Sequence, residues 1–310
     1  MQRTPARRVR RGSTSTGDIR DPVAADPLSV MCGPFKGLKG ILRLLEIILS
    51  ALTWVIVLCR GPMASPWGVW CLFVWFFCTA VPAALTLVEA LSLQVLLAAF
   101  LPDWADLVCG LTLLCAAMVA SATAVFAAVF VCLSCVVNIL CFLTSLAATG
   151  AFAVDGAVRL KARPVGYLTG LRGGLRMAEA FTACIILTAA ADHSVSGGYP
   201  HYPAGMTCAA MAFAVCLLGS VAVVVLHLLK LLRCLVAFQL GLVEVAFNAV
   251  AVLLYLLAVL LWCLFGYGRR DYGPYACAGC SLMDVNVVAV GAAVNVALYI
   301  VDLVLTIKSR

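Results

Sequence analysis

The sequence predicts an all-α integral membrane protein with eight transmembrane helices, arranged as two repeated four-helix bundles. Of its 310 residues, 65% are hydrophobic and only 11% are charged, and the mean hydropathy is +1.11. A soluble domain carries roughly 25% charged residues and cannot bury so much apolar surface in one core. These two observations predict the membrane class, and an internal repeat predicts the two bundles.

The apolar residues form eight runs, and a bilayer core about 30 Å thick needs roughly 20 residues of helix. The runs are continuous rather than alternating, which favours helices over a β-barrel. Residues 107–154 are nearly unbroken and too long for one span, so we expect a tight turn near 129–131. The expected spans are 41–59, 67–88, 107–128, 132–154, 175–191, 207–227, 242–266 and 285–305.

One motif opens the first and the fifth span. Gly-Leu-basic-Gly-x-Leu-Arg-x-x-Glu occurs at 37–46 and again at 170–179, and an aspartate with basic residues after it closes the fourth and eighth spans. Parallel repeats that start and end alike contain an even number of spans each. We therefore expect a disordered basic arm at 1–36, domains at 37–163 and 170–310, and a linker at 164–169.

Lys and Arg lie mostly on one predicted side of the membrane. The arm, the 155–174 connection, the 228–240 turn and the C-terminus hold them, whereas the opposite loops hold only Arg60, Arg269 and Arg270. The excess of basic residues predicts that both termini are cytoplasmic. A basic cytoplasmic arm is attracted to anionic lipid by about 1 kcal/mol per residue near the surface, so lipid is the expected partner and nucleic acid is not.

The middle of the chain carries the most specific motifs. Lys-Ala-Arg-Pro at 161–164, Gly-Tyr-Leu-Thr-Gly at 166–170 and Leu-Arg-Met-Ala-Glu-Ala-Phe-Thr-Ala-Cys-Ile-Ile at 175–186 resemble the myeloid-associated differentiation marker family, which has tandem MARVEL domains. The resemblance covers about 37–310. It implies a multi-pass plasma-membrane protein of cholesterol-rich membrane rafts, which acts in membrane apposition and cell-surface organisation through contacts with lipids and other membrane proteins.

Charged residues inside the spans are the candidate site residues, because an ionisable group in a bilayer usually has a function. In each half of the sequence, the arginine and the glutamate of the repeated motif are three residues apart and therefore share a helix face. One interpretation is a structural Arg–Glu–Asp cluster where the first and last helices of each half meet. Binding of a lipid headgroup or protein partner is a second, and a small-solute or ion transporter or channel is the alternative function. The residues are Arg43, Glu46, Asp155, Arg176, Glu179 and Asp302.

Most of the 16 cysteines lie in apolar runs, where a thiol packs as a small apolar group. Cys132 and Cys135 are among them. Cys277 and Cys280 instead form a C-x-x-C pair in a predicted outer loop, where a disulfide is favoured over a zinc site. They are the candidate disulfide.

Three further residues are candidates for modification. Cys32 and Cys234 lie near the cytoplasmic membrane boundary and could be S-palmitoylated, the alternative being unmodified thiols. Ser13 follows Arg10-Arg-Gly, a context typical of arginine-directed kinases. Phosphate at Ser13 would offset the basic charge of the arm and weaken lipid binding.

Small residues recur every four positions in the third and eighth spans, at Ala116, Ala120, Ala124 and Ala128 and at Ala289, Ala293 and Ala297. This spacing lets helices approach closely, either within a bundle or in a homo-oligomer. The sequence shows no nucleophile–base pair, metal-ligand set or phosphate-binding loop. We therefore expect a protein that is not an enzyme and has no cofactor.

Overall fold

A computed structural model describes residues 37–61, 63–97, 100–101, 103–132, 134–162, 166–196, 203–229, 240–267 and 282–308. Within these residues the regular secondary structure is helical. The helices are α1 Leu38–Arg60, α2 Pro66–Ala90, α3 Gln94–Leu97, α4 Trp104–Val129, α5 Val136–Lys161, α6 Leu171–Ser196, α7 Ala204–Leu228, α8 Leu240–Tyr267 and α9 Leu282–Lys308.

Eight of these helices are long and apolar enough to span a membrane, which confirms the predicted fold class. Apart from the start of α5, each extends past both ends of the apolar run that predicted it. The extra residues include charged ones, as in the last turn of α5, which holds Arg159 and Lys161. The short helix α3 was not predicted.

Local sequence sets several of the helix ends. The Ser65 hydroxyl accepts a hydrogen bond from the Gly68 amide and Pro66 occupies the first turn of α2, a favourable start because proline lacks the amide that would be unsatisfied there. The Asp103 carboxylate accepts from the Ala105 amide at 2.9 Å and caps α4 in the same way. The break between α4 and α5 lies at 130–135, slightly later than predicted.

Cys132 and Cys135 lie in this turn and form a disulfide. The prediction that they are apolar filler inside a span was wrong. The helix ends at Val129, before the two cysteines, because the long apolar run must reverse direction there. Hydropathy could not separate an apolar turn from an apolar helix.

The helices pack in two groups of four. In the first group α1 contacts α2 and α5, and α4 contacts α2 and α5; in the second, α6 contacts α7 and α9, and α8 contacts α7 and α9. We call these groups the first bundle and the second bundle. The further assignment of each as a MARVEL-like repeat stays a prediction.

The two bundles meet along α6. This helix contacts α2 and α4 of the first bundle in addition to its own neighbours. Trp67 at the start of α2 belongs to the core cluster of the second bundle, and Phe181 of α6 packs against the core cluster of the first. The apolar cores therefore join across the boundary.

Candidate functional site

The second bundle buries a charged cluster at one end. Arg176 lies in the second turn of α6, Asn248 in the third turn of α8, and Asp302 in the last two turns of α9. At 1.5 Å per residue, Arg176 is about 8 Å from the start of its helix. Arg176, Glu179, Asn248 and Asp302 together are here called the Arg176 network, and each is at most 1% exposed.

Arg176 is the centre of this network. Its guanidinium donates to the Asn248 side-chain oxygen at 2.5 Å and is 2.8 Å from an Asp302 carboxylate oxygen and 3.2 Å from a Glu179 carboxylate oxygen. The Asn248 amide donates to Asp302 at 2.7 Å, and the guanidinium lies 5.3 Å from the Phe247 ring centre. Three helices are thus joined through one buried cation, whose planar group can donate to several acceptors at once.

A second polar layer lies deeper in the same bundle. The Ser220 hydroxyl is 3.3 Å from Glu179 and 2.7 Å from the Tyr299 hydroxyl. The Asn295 side-chain amide donates to the Tyr255 hydroxyl at 2.7 Å and to the backbone oxygen of Glu179 at 3.2 Å. All four helices of the bundle therefore contribute hydrogen bonds, which are expensive to leave unmade in an apolar interior.

A third group lies closer to the same end of the bundle. Glu244 accepts from Arg172 at 2.6 Å and contacts His227, while Arg172 also donates to Thr306 at 3.0 Å. The Tyr167 ring stacks on His227 with 4.1 Å between ring centres. Burial raises the pKa of Tyr167, so this phenol stays neutral at physiological pH.

The first bundle arranges its charges differently. Arg43 forms its ion pair with Glu89 of α2, which also accepts from the Trp104 indole at 3.1 Å. Asp155 pairs with Arg159 of its own helix at 2.5 Å. The structure thus joins Arg176, Glu179 and Asp302, but it does not join Arg43 to Asp155.

Two carboxylates connect the bundles at opposite ends. Asp106 of α4 accepts hydrogen bonds from the Leu168 amide at 2.9 Å and from the Thr169 amide and hydroxyl at 2.8 and 2.6 Å. A Cβ atom at Gly166 would overlap the Asp106 carboxyl group, so the close approach requires glycine. At the other end the Trp67 indole donates to Asp284 at 3.1 Å.

The sequence interpretation missed several of these groups. Asn248, Ser220 and Asn295 were not singled out, although an uncharged polar residue inside a long apolar run is a visible signal. Asp106 and Glu89 were not candidate site residues either. Their partners lie 62 and 46 positions away in the chain, and sequence spacing carries no information about such contacts.

Five candidate residues lie outside the described residues: Ser13, Cys32, Cys234, Cys277 and Cys280. The small-residue stripes are described, and Ala120, Ala124 and Ala128 are exposed on the outer surface of α4. Ala293 and Ala297 of α9 are exposed as well. These residues therefore face the surroundings of the bundles rather than their cores.

The chemistry of these clusters is neutralisation and hydrogen bonding. Within the part of the chain that the structure describes, no group of three or more His, Cys, Asp or Glu side chains could hold a metal ion. The charged side chains of the Arg176 network are paired with opposite charges or with an amide group. Such an arrangement fixes helices against one another.

Similarity to known proteins runs along most of the chain. It is 29% identical over 288 residues to human myeloid-associated differentiation marker-like protein 2, covering 87% of this chain and 91% of that protein. It is 26% identical over 289 residues to human myeloid-associated differentiation marker, covering 86% of each, and 27% identical over 298 residues to the Xenopus laevis homolog, covering 87% and 92%. No protein-family model matches the chain. No solved structure matches it either.

These matches confirm the resemblance seen in the motifs at 161–186, and they agree with the eight apolar spans. The matched relatives are named as marker proteins rather than as enzymes. The chain is a multi-pass membrane protein that is similar, along most of its length, to the myeloid-associated differentiation marker proteins.

Proposed function

We propose that this protein is a non-enzymatic organiser of membrane domains, which acts through lateral contacts of its helices with lipids and other membrane proteins. The observation that carries the proposal is the separation of its two surfaces. Charged groups in the spans are turned inward and mostly paired, whereas the outer faces are apolar over several turns. On α8, for example, Leu253, Leu260 and Leu264 are 67%, 61% and 68% exposed.

An apolar groove on the helix surface supports lateral contact rather than passage of a solute. A groove of about 210 Å³ lies where α4 and α6 meet, and its walls are apolar, including Leu113, Met177 and Phe181. A transport path needs polar groups along the membrane depth. Among the described residues, the charged groups are instead concentrated near the ends of the helices.

The contacts between the bundles also argue against a transporter in which one bundle moves relative to the other. Alternating access in repeat transporters moves one repeat against the other around a central site. Here Asp106 holds the 166–170 segment at one end and Asp284 holds Trp67 at the other. Such ties at both ends favour two bundles that move as one body.

We further propose that both termini are cytoplasmic, that the protein resides in the plasma membrane, and that its basic arm attracts anionic lipid. The exposed stripe Ala120, Ala124 and Ala128 would permit close contact with a second copy of the chain. Protease-protection of tags fused at Met1 and Arg310 tests the topology. Both tags on the cytoplasmic side are expected, and tags on opposite sides would exclude an even number of spans.

Proximity labelling in cells, combined with fractionation of cholesterol-rich membrane, tests the organising role. We expect labelled neighbours to be enriched in membrane proteins that share the same fractions. A matched pair of variants sharpens the test: Ala124→Ile on the exposed stripe should reduce self-association measured by energy transfer, whereas Leu143→Ile, exposed on α5, should not. Uniform labelling of the whole membrane proteome would contradict the proposal.

Reconstitution in liposomes distinguishes the transporter alternative. Purified protein should produce no substrate-dependent or ion flux above that of empty vesicles. Flux that disappears in Asp155→Asn or Asp302→Asn would show that the intramembrane carboxylates conduct, and the organising role would then be wrong.

A further inference from the structure

Glu46 is a buried carboxyl group without a cation of its own. It lies on α1 with 1% exposure. The two nearby arginines are both occupied, because Arg43 pairs with Glu89 and Arg159 pairs with Asp155. Among the described residues, none forms an ion pair with Glu46. An isolated ionised carboxylate inside an apolar bundle is strongly unfavourable and is normally neutralised.

The neighbouring helices supply no further positive charge to Glu46. From α2, Cys78 faces it, and Cys78 is in contact with Cys115 of α4. Both are thiols and bring no cation. From α5, the facing groups are the Asp155 carboxylate and the arginine that it already binds. An ionised Glu46 would therefore leave the cluster with three carboxylates and two guanidinium groups.

Two carboxyl groups, those of Glu46 and Asp155, face each other in the first bundle, and each can only accept hydrogen bonds when it is ionised. The helices of Glu46 and Asp155, α1 and α5, pack against each other, both side chains are at most 1% exposed, and Glu46 Oε1 and Asp155 Oδ1 meet no donor among the described residues. Ser50, one helical turn along the same buried face of α1, is fully buried, and its hydroxyl also lacks a partner. The first bundle thus buries two carboxyl oxygens and one hydroxyl that have no partner among the described residues.

A single proton satisfies this arrangement better than a metal ion. Two carboxyl groups can share one proton in a hydrogen bond between them, and the charge of the cluster then balances. Hard cations such as Ca²⁺ and Mg²⁺ require about six or more oxygen ligands. Two carboxylates and one hydroxyl supply fewer.

We propose that the first bundle binds one proton between Glu46 and Asp155. Glu46 is the carboxylic acid and donates to the Asp155 carboxylate, which Arg159 holds from the other side. The proton comes from a hydronium ion of the aqueous phase: its O–H bond breaks, the O–H bond of Glu46 forms, and water is released. This site goes beyond the organising role, and neither depends on the other.

The second bundle provides a matched comparison at the repeat-equivalent position. Glu179 Oε2 receives Arg176 at 3.2 Å and the Ser220 hydroxyl at 3.3 Å. Glu179 Oε1 meets no donor among the described residues, so the difference from Glu46 is the guanidinium and the hydroxyl on its other oxygen. A proton at Glu46 but not at Glu179 is the distinguishing prediction.

Infrared spectroscopy of the full-length protein in lipid nanodiscs tests the proposal directly. The carbonyl stretch of a protonated carboxylic acid should be present in the unmodified protein, lost in Glu46→Gln, and kept in Glu179→Gln. Equal spectra for the unmodified protein and Glu46→Gln would overturn the proposal.

Labelling with dicyclohexylcarbodiimide gives a second readout that needs no Glu46 variant. This apolar reagent reacts with protonated carboxyl groups in membranes, and peptide mass spectrometry locates the adduct. Glu46 should be modified several-fold more than Glu179. In Asp155→Asn, modification of Glu46 should fall several-fold, because Arg159 is then free to hold Glu46 as an anion.

Two outcomes of the labelling would overturn the proposal. Equal modification of Glu46 and Glu179 would show that the missing donor has no consequence. Suppression of the Glu46 adduct by sodium chloride, but not by choline chloride at the same concentration, would identify a metal cation instead of a proton.

Discussion

The two bundles contain the same Arg-x-x-Glu start and the same closing aspartate, yet they use these residues differently. In the second bundle Arg176 contacts both Glu179 and Asp302 and is supported by Asn248. In the first bundle the equivalent arginine turns to Glu89 on the neighbouring helix. Glu46 and Asp155 are left facing each other.

This difference shows that a repeated motif fixes where its charged side chains lie but not which residues they bind. Each motif places an arginine and a glutamate on one buried helix face. The partner is then decided by residues elsewhere: the first bundle offers the Glu89 carboxylate, whereas the second offers the Asn248 amide. A single uncharged polar residue on a neighbouring helix thus changes the network.

The largest expected effect is from Arg176→Met. This change leaves two carboxylates buried without their cation, and breaking a buried pair in this way costs about 3–5 kcal/mol. We expect strongly reduced expression and a large fall in the apparent Tm in detergent. The matched change Arg43→Met should cost less, about 1–2 kcal/mol, since the Glu89 side chain is 22% exposed. Equal losses in the two variants would contradict the comparison.

The next effect concerns the tie between the bundles. Asp106→Ala leaves the Leu168 and Thr169 amides without their acceptor, at about 1–3 kcal/mol for each buried donor. We expect a lower Tm and faster proteolysis of the 166–170 connection, read by mass spectrometry. Asp103→Ala, which removes only an exposed helix cap, should cost about 1 kcal/mol and leave the connection protected. A connection that stays protected in Asp106→Ala would show that this tie has no structural role.

The smallest effect uses two tryptophans that are equally buried. Trp67→Phe removes the indole that donates to Asp284 and should cost about 1–2 kcal/mol in stability, measured by thermal unfolding. Trp70→Phe removes an indole N–H that has no partner in the described part of the chain, so its cost should be close to zero. Both are 6% exposed, which makes the pair a fair control. A larger loss of stability for Trp70→Phe than for Trp67→Phe would contradict a stabilising hydrogen bond between Trp67 and Asp284.

The sequence predicted the parts of the structure that depend on local composition. Eight apolar runs gave eight spans, because an apolar stretch of this length has no other stable place than a bilayer. The exact helix ends were less predictable: Asp155 and Arg159 continue α5 past its apolar run because they pair within the helix. The Cys132–Cys135 turn was missed since its residues are as apolar as the helices beside it.

Contacts between distant residues could not be read in the same way. Spacing placed Arg176 and Glu179 on one face, and that pair is present in the structure. The bond between Arg43 and Glu89 and the hydrogen bonds of Asp106 depend on which helices become neighbours. Packing decides this, and one sequence alone gives no measure of it.

A pair of double-mutant cycles tests the difference between the bundles most directly. The first cycle combines Arg176→Met with Asp302→Leu, and the second combines Arg43→Met with Asp155→Leu, each followed by apparent Tm in the same detergent. In the first cycle we predict strong coupling: the double variant should lose less stability than the two single variants together. In the second cycle the losses of the single variants should be nearly additive. Additive losses at Arg176 and Asp302, or equal coupling in both cycles, would contradict the account.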